Sequence, residues 1–254
     1  MIVRILGCSG GVGGNLRTTS TLIDDDILID AGSGVGDMTL DQMRKIRTIF
    51  LTHSHMDHFA FLPLLVDSIF ESIQHPIEIY LQPETKLALE THIFNWTIWP
   101  NFAELPSKDR PVMRFNEMLP GTDMEINGRK IEMIGVNHIV PGVGYRISSE
   151  SGSVAISGDS STQDGFWQHL NAQNSLDLLI VEAAFSNNDL ELSQKAGHYT
   201  PATLATDMKK LALNPKVYIS HTKPGQEQLI VDQCKAEMPE RDINRLYGGE
   251  SFTL

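Results

Sequence analysis

Three histidines and an aspartate fall within the seven residues Thr52-His53-Ser54-His55-Met56-Asp57-His58, and apolar runs close on them from both sides. Ile49-Phe50-Leu51 precedes the cluster, and Phe59 to Val66 follows it. The first run is short and β-like, and the second is long enough for a buried helix. The polar cluster therefore sits at a strand-to-helix junction, where α/β folds place their chemistry. Neutral imidazoles and carboxylates are ligands for zinc and other borderline first-row metals. The alternation His-x-His-x-Asp-His lets the side chains fan out from one loop toward two neighbouring metal positions. The blander reading is a polar loop that happens to be rich in histidine, and the compactness of the nitrogen and oxygen donors argues against it.

Around this cluster the elements come in order. Ile2 to Leu6 reads as a strand, and the five glycines of Gly7 to Gly14 read as a tight loop. That loop lacks the Lys-Ser/Thr ending of a phosphate-binding P-loop. Thr19 to Ile23 and Ile27 to Asp30 form a predicted hairpin around Asp24-Asp25-Asp26, which reads as a solvated turn. A short helix is expected over Leu40 to Lys45, a strand over Ile77 to Leu81 and a helix over Glu84 to Trp96. Ile98 to Pro111 carries three prolines and reads as a loop or lid. Trp96, Trp99 and Phe102 could line a pocket for a flat base, with core packing as the competing role.

Asn127-Gly128 marks a hairpin between Met124–Ile126 and Lys130–Val136. Strands follow at 144–148, 154–157, 178–181 and 217–220, and helices near 166–170, 201–211 and 226–237. Thr200 is the expected N-cap of the second of these helices, with Pro201 at its first position. Strands in runs, each followed by helices, suggest two sheets packed face to face with helices outside.

The net charge of −12 argues against broad binding to nucleic acid or anionic membrane. Cys8 and Cys234 are the only cysteines, so a disulfide framework is not expected and a reducing compartment fits. The first residues turn to Gly and Ser too soon for a signal peptide, and no stretch approaches a membrane span. The expectation is a soluble cytoplasmic protein.

Three later residues share the setting of the opening cluster. His138 follows the strand at 130–136, Asp159 the strand at 154–156, and His221 the strand at 217–220. With His53-x-His55-x-Asp57-His58 they resemble the full metal set of the metallo-β-lactamase superfamily, over nearly the whole chain. The resemblance implies an α/β fold, the αββα four-layer sandwich, as a single domain over residues 1–254. It implies that His53, His55 and His138 hold a first metal, that Asp57, His58 and His221 hold a second, and that Asp159 bridges them. Two divalent metal ions, zinc first and manganese or iron as alternatives, would lie about 3.5–4 Å apart around a bridging hydroxide.

Within that superfamily, aspartate at position 159 and the absence of a secretory signal point to phosphodiesters rather than lactams. Asn137-His138 with Val143 to Ile147, Glu182 to Phe185, and Gly197-His198-Tyr199-Thr200-Pro201 are similar to both tRNase Z enzymes and class II cyclic-nucleotide phosphodiesterases. His221-Thr222-Lys223-Pro224 and Ile93 to Phe102 resemble the cyclic-nucleotide group more closely. Ala184 and Ala196 depart from the more polar residues of many such enzymes, which bears on substrate preference.

The resemblance implies catalytic roles for Asp57, His198 and Glu182 and substrate contact by His198 and Lys223. Glu182 would orient His198, or simply end its strand in a structural bond. His75, His92 and His169 lack the strand-end context and read as surface residues. The expected partner is a small cyclic nucleotide (cAMP or cGMP). Nucleic acid and membrane are disfavoured, and a homodimer is expected by analogy. The alternatives are a tRNA 3′-end endonuclease and a non-catalytic, metal-dependent nucleotide-binding protein.

Overall fold

Residues 1–254 are described by a computed structural model. Its strands form two seven-stranded mixed sheets and a small two-stranded ribbon. The first sheet runs Ser251–Thr253, Ile2–Gly7, Ser20–Ile23, Ile27–Ile29, Thr48–Phe50, Ile77–Leu81, Met113–Glu117. The second runs Ile243–Arg245, Lys216–Ser220, Leu178–Glu182, Gly152–Ile156, Gly142–Ser149, Arg129–Val136, Asp123–Ile126.

Side-chain alternation explains the layering, because successive residues of a strand point to opposite faces. Ile27 and Ile29 enter the apolar layer between the sheets, whereas Leu28 faces the helices outside the first sheet. Leu178 and Ile180 likewise face inward, and Leu179 and Val181 meet the helices Gly165–Asn171, Pro201–Met208 and Glu227–Glu237. Strands covered on both faces read as continuous apolar runs. Three apolar layers separate four layers of secondary structure, the expected αββα sandwich. No helix is long and apolar enough to cross a membrane.

Four expectations differ from the structure, each for an identifiable physical reason. The helix expected over Phe59–Val66 is two, Met56–Phe59 and Leu62–Ile69, with Pro63 in the first turn of the second. The helix expected over Glu84–Trp96 is Pro83–His92. Asn95 Oδ1 accepts bonds from the backbone of Thr97 and Ile98, and Trp96 takes a left-handed φ of 65°. A side chain that mimics a turn in this way competes with the helix. The Asp24–Asp26 turn is ion-paired rather than merely solvated: Arg129 meets Asp26 at 2.6 and 2.8 Å and Asp24 at 3.0 Å, and Arg4 meets Asp25. His169 is half-buried, 3.3 Å from Glu132, while His75 and His92 are exposed as expected.

Of the aromatic segment, Phe102 is buried against Phe70 and Phe94, and Trp99 packs on the same layer. Trp96 is exposed. Core packing is the structural role of the first two.

Candidate metal centre

The strands Thr48–Phe50, Gly152–Ile156 and Lys216–Ser220 belong to parallel pairs, and the segments past their C-terminal ends carry His53 and His55 with Asp57 and His58 on the short helix that follows, Asp159, and His221. Two bonds tie the first loop across to the second sheet. Tyr145 Oη donates to Leu51 O at 2.8 Å, and Val143 N donates to Thr52 O at 3.0 Å.

Two groups of four side chains result. One ligand atom each from His53, His55, His138 and Asp159 lies within 4.8 Å of the others, and the same holds for Asp57, His58, Asp159 and His221. Asp159 belongs to both. In the first group, His138 Nε2 is 3.2 Å from His55 Nδ1, and His53 Nε2 is 3.6 Å from Asp159 Oδ2. In the second, His221 Nε2 is 3.0 Å from Asp57 Oδ2 and 3.3 Å from Asp159 Oδ2, and His58 Nε2 is 3.3 Å from Asp159 Oδ1. The sequence-predicted set of seven is brought together in full.

Atoms behind these side chains set which nitrogen faces the centre. His58 Nδ1 lies 2.6 Å from Asp30 Oδ2, and a carboxylate only accepts, so Nδ1 carries the hydrogen and Nε2 faces Asp159. His138 Nδ1 donates in the same way to Gly197 O at 2.8 Å. Thr52 Oγ1 gives its hydrogen to Asp30 Oδ2 at 2.9 Å and so accepts from His53 Nδ1 at 3.0 Å. Such outer partners fix tautomer and ring orientation in metal sites. His53 Nε2, His58 Nε2 and Asp159 Oδ1 are buried with no hydrogen-bond partner. Orphaned buried donor atoms converging from imidazoles and a carboxylate fit divalent cations.

The charges agree with that fit. Burial, reinforced by the charge of His58, holds His53 well below the usual histidine range and therefore neutral. Burial also acts to lower His58, but Asp159 and Asp30 outweigh it and hold the group well above 6.5. A cation between these carboxylates would take over what that proton does. Asp159 is held well below the carboxylate range: burial opposes ionisation, and the charges of His221 and His58 override it.

Two backbone positions are strained to build the site. Asp30 and His221 have φ of 60° and 56°, in the left-handed region that non-glycine residues avoid. The glycine-rich loop packs on His221 rather than forming a phosphate cradle of the P-loop kind. Cys8 O accepts from His221 N, and a Cβ on Gly10 would meet His221 O at 2.6 Å.

His198 lies between the two groups, its ring centroid 5.1 Å from that of His138 and 5.2 Å from that of His221. Glu182 is bonded both to His198 and to backbone. It accepts from His198 Nδ1 at 2.9 Å, and it also caps backbone N–H groups of Ser160, Ala184 and Tyr199. Lys223 Nζ is 3.4 Å from Gly10 O and 5.4 Å from the centre of the Phe185 ring, so it is anchored beside the site. Sequence reasoning missed Asp30, Thr52 and the carbonyl of Gly197. Asp30 alone carried a signal, since it too follows a strand, Ile27–Ile29, and precedes a sharp turn.

Residues 25–221 match the family described as "Beta-lactamase superfamily domain". A probable 3′,5′-cyclic-nucleotide phosphodiesterase of Yersinia pestis is 28% identical over 209 residues, 73% of this chain and 59% of that protein. A ribonuclease Z of Methanopyrus kandleri is 25% identical over 156 residues, 59% of this chain and 50% of that protein. The chain thus spans between half and two thirds of the length of these curated relatives. The crystal structure of unliganded yeast PDE1 superposes with a TM-score of 0.83 at 17% identity, covering 100% of this chain and 99% of that one, a likeness of fold. With this fold and a family match over well more than half of its residues, the chain belongs to the beta-lactamase superfamily and has the metallo-β-lactamase fold.

Proposed function

We propose that the protein is a metal-dependent phosphodiesterase that opens a 3′,5′-cyclic nucleotide to the 5′-monophosphate. The observation that carries this reading is a single buried carboxylate, Asp159, shared by two four-donor groups, with His198, held by Glu182, stacked on His221 of one and edge-on to His138 of the other. His53, His55 and His138 would hold one divalent ion, and Asp57, His58 and His221 the other, with Asp159 between them. When bound, the ions (zinc first) supply Lewis-acid neutralisation of phosphate charge and a lowered pKa for water.

The chain's own residues supply the rest. Glu182 fixes the His198 ring through Nδ1, which leaves Nε2 for the substrate. Burial acts to lower His198, but the charge and hydrogen bond of Glu182 dominate and raise it above 6.5. With Nδ1 held by Glu182, Nε2 is placed to deliver a proton to the departing ribose 3′-oxygen. Lys223, beside the glycine loop, offsets phosphate charge. The two cysteines are buried and free, which supports a reducing, cytoplasmic setting.

A second reading, cleavage at tRNA 3′ ends, is favoured by the relative named ribonuclease Z. The acidic charge weighs against it. The test is a side-by-side assay of fully metallated protein on cyclic AMP, cyclic GMP and precursor tRNA. Turnover of a cyclic nucleotide is expected. Cleavage of precursor tRNA alone, or of nothing, would overturn the proposal.

A further inference from the structure

Asp207 is a fully buried carboxylate outside the metal centre, on the helix Pro201–Met208. Its surroundings are the apolar layer of Trp167, Tyr199, Leu204 and Met208, where a side chain without charge would pack at less cost. Its bonds lead elsewhere. Oδ2 accepts from Gln163 N at 2.8 Å, Tyr199 Oη at 2.6 Å and Trp167 Nε1 at 3.3 Å. Oδ1 stands 2.8 Å from Lys210 Nζ, the charge partner that makes burial tolerable.

Two of these bonds, and a third step beyond one of them, reach the loops of the centre. Gln163 lies in the same loop as Asp159, between the strand Gly152–Ile156 and the helix Gly165–Asn171. Gln163 Oε1 in turn accepts from Asn137 N at 3.2 Å, and Asn137 precedes His138. Asn137 is further laced to the same loop through Ser161 N at 2.7 Å and Thr162 O at 3.1 Å. Tyr199 follows His198, and its own N–H is held by Glu182 at 3.3 Å. One carboxylate thus fastens the segments that present His138, Asp159 and His198, which arrive from three separate stretches of chain.

We propose that Asp207 is a positioning residue, locking these three loops in one register so that His198 stays aligned with the shared carboxylate Asp159. The proposal rests on the phosphodiesterase reading only for its kinetic consequence. A displacement of about 1 Å in a catalytic group can cost roughly 100-fold in rate, and supporting contacts of this kind hold such groups within that tolerance.

The test compares Asp207→Ala with Met208→Ala, its buried neighbour on the same helix, which faces only the apolar layer and serves as a control of similar thermal stability. Each is assayed for kcat and KM on bis(p-nitrophenyl) phosphate, and for the visible spectrum of the cobalt-substituted protein, which reports ligand geometry around His138 and Asp159. Asp207→Ala is expected to lose roughly 100-fold in kcat with KM changed less than about threefold, and to shift the cobalt bands. Met208→Ala is expected to keep both. Asp207→Asn, which leaves an oxygen facing the three donors, should recover part of the rate. If Asp207→Ala does not fold, Tyr199→Phe carries the test, with an expected loss of about tenfold in kcat at unchanged fold. Equal rate losses in Asp207→Ala and Met208→Ala, or an unchanged rate and spectrum in Asp207→Ala, overturn the proposal. If the wild-type protein hydrolyses no phosphodiester, the functional reading falls by itself and the cobalt spectrum decides the positioning role.

Discussion

Asp30→Asn isolates what a carboxylate behind a metal ligand contributes. In the wild-type protein Asp30 Oδ1 accepts from Thr52 N at 2.8 Å, and Oδ2 accepts from Thr52 Oγ1 and His58 Nδ1. Asparagine has the same shape and can still accept from Thr52. Its amide nitrogen, however, replaces the oxygen 2.6 Å from His58 Nδ1. Two N–H groups cannot face each other at that distance, so His58 must turn its Nδ1 lone pair toward the amide and move its hydrogen to Nε2. That is the atom the second metal group needs. Loss of an outer partner of this kind costs about 10–100-fold in metal affinity, or about 1.4–2.7 kcal/mol. Truncation to alanine is a different perturbation, because it leaves Thr52 N–H and His58 Nδ1–H unpaired at about 1–3 kcal/mol each and so acts on stability first. The assay is a competition titration of apo-protein with zinc against a chromogenic chelator, with thermal melts of both apo-proteins alongside. Asp30→Asn should take up the first ion normally, bind the second about 10–100-fold more weakly, and melt near wild type without metal. Two ions bound with wild-type affinities, or both weakened equally, would refute the tautomer argument.

Glu182→Gln removes the charge that raises His198, so the alkaline limb of kcat should move to lower pH, while His198→Ala abolishes that limb and cuts kcat by about 10²–10⁴-fold. A pH–rate profile with the limb unmoved in Glu182→Gln would exclude His198 as the acid. Stripping the metals should lower the melting temperature, because ligand present at 1,000 times its Kd contributes about 4 kcal/mol; in a chain of this size calorimetry should show a fall of roughly 8–16 °C. Gly197 has φ of 70°, and a Cβ there would meet the backbone of Ile139 at 2.9 Å. Gly197→Ala should therefore destabilise the fold by about 1–2 kcal/mol in chemical denaturation and disturb the first metal group, whose His138 bonds to Gly197 O. Because the protein is strongly acidic, added salt should raise kcat/KM for an anionic cyclic nucleotide by screening repulsion over about 10 Å; a fall with salt between 20 and 200 mM would show that the local cations, not the net charge, govern encounter.

The candidate metal-ligating residues were legible because their signals are local. His53 to His58 are packed by spacing alone, and His138, Asp159 and His221 each sit just past an apolar β run. The four layers were legible for the same reason, since alternation along strands and their grouping can be read without knowing what they touch. Failures came where a partner is remote in sequence. His169 reads as a surface residue until Glu132, on a neighbouring strand, comes within 3.3 Å. Asp207, three residues before Lys210, looks like one of many solvated helix ion pairs. Only the burial of its helix against Trp167 and Tyr199 makes it a hub. The over-long helix at 84–96 failed through one side chain, Asn95, whose turn-like bonds are available to asparagine in many places and used in few.

The remaining question is why a chain already short of positive charge gathers so many buried carboxylates in one place. Asp57 and Asp159 face the centre directly, while Asp30 and Glu182 stand behind His58 and His198. Without cations, these four like charges, three of them buried, would repel one another and could be tolerated only by protonating histidines between them, the direction in which His58 is driven. Two divalent ions would balance those four charges and leave the ligating imidazoles neutral, as ligation requires. The inner groups then have no surplus charge to repel a phosphate monoanion. Beside the ions, the groups left to meet the phosphate are His198, whose pKa Glu182 raises, and Lys223, anchored at the glycine loop. The same carboxylates that would be a liability to folding thus suit the site to divalent cations, and the outer pair decides which nitrogen of His58 and of His198 faces it.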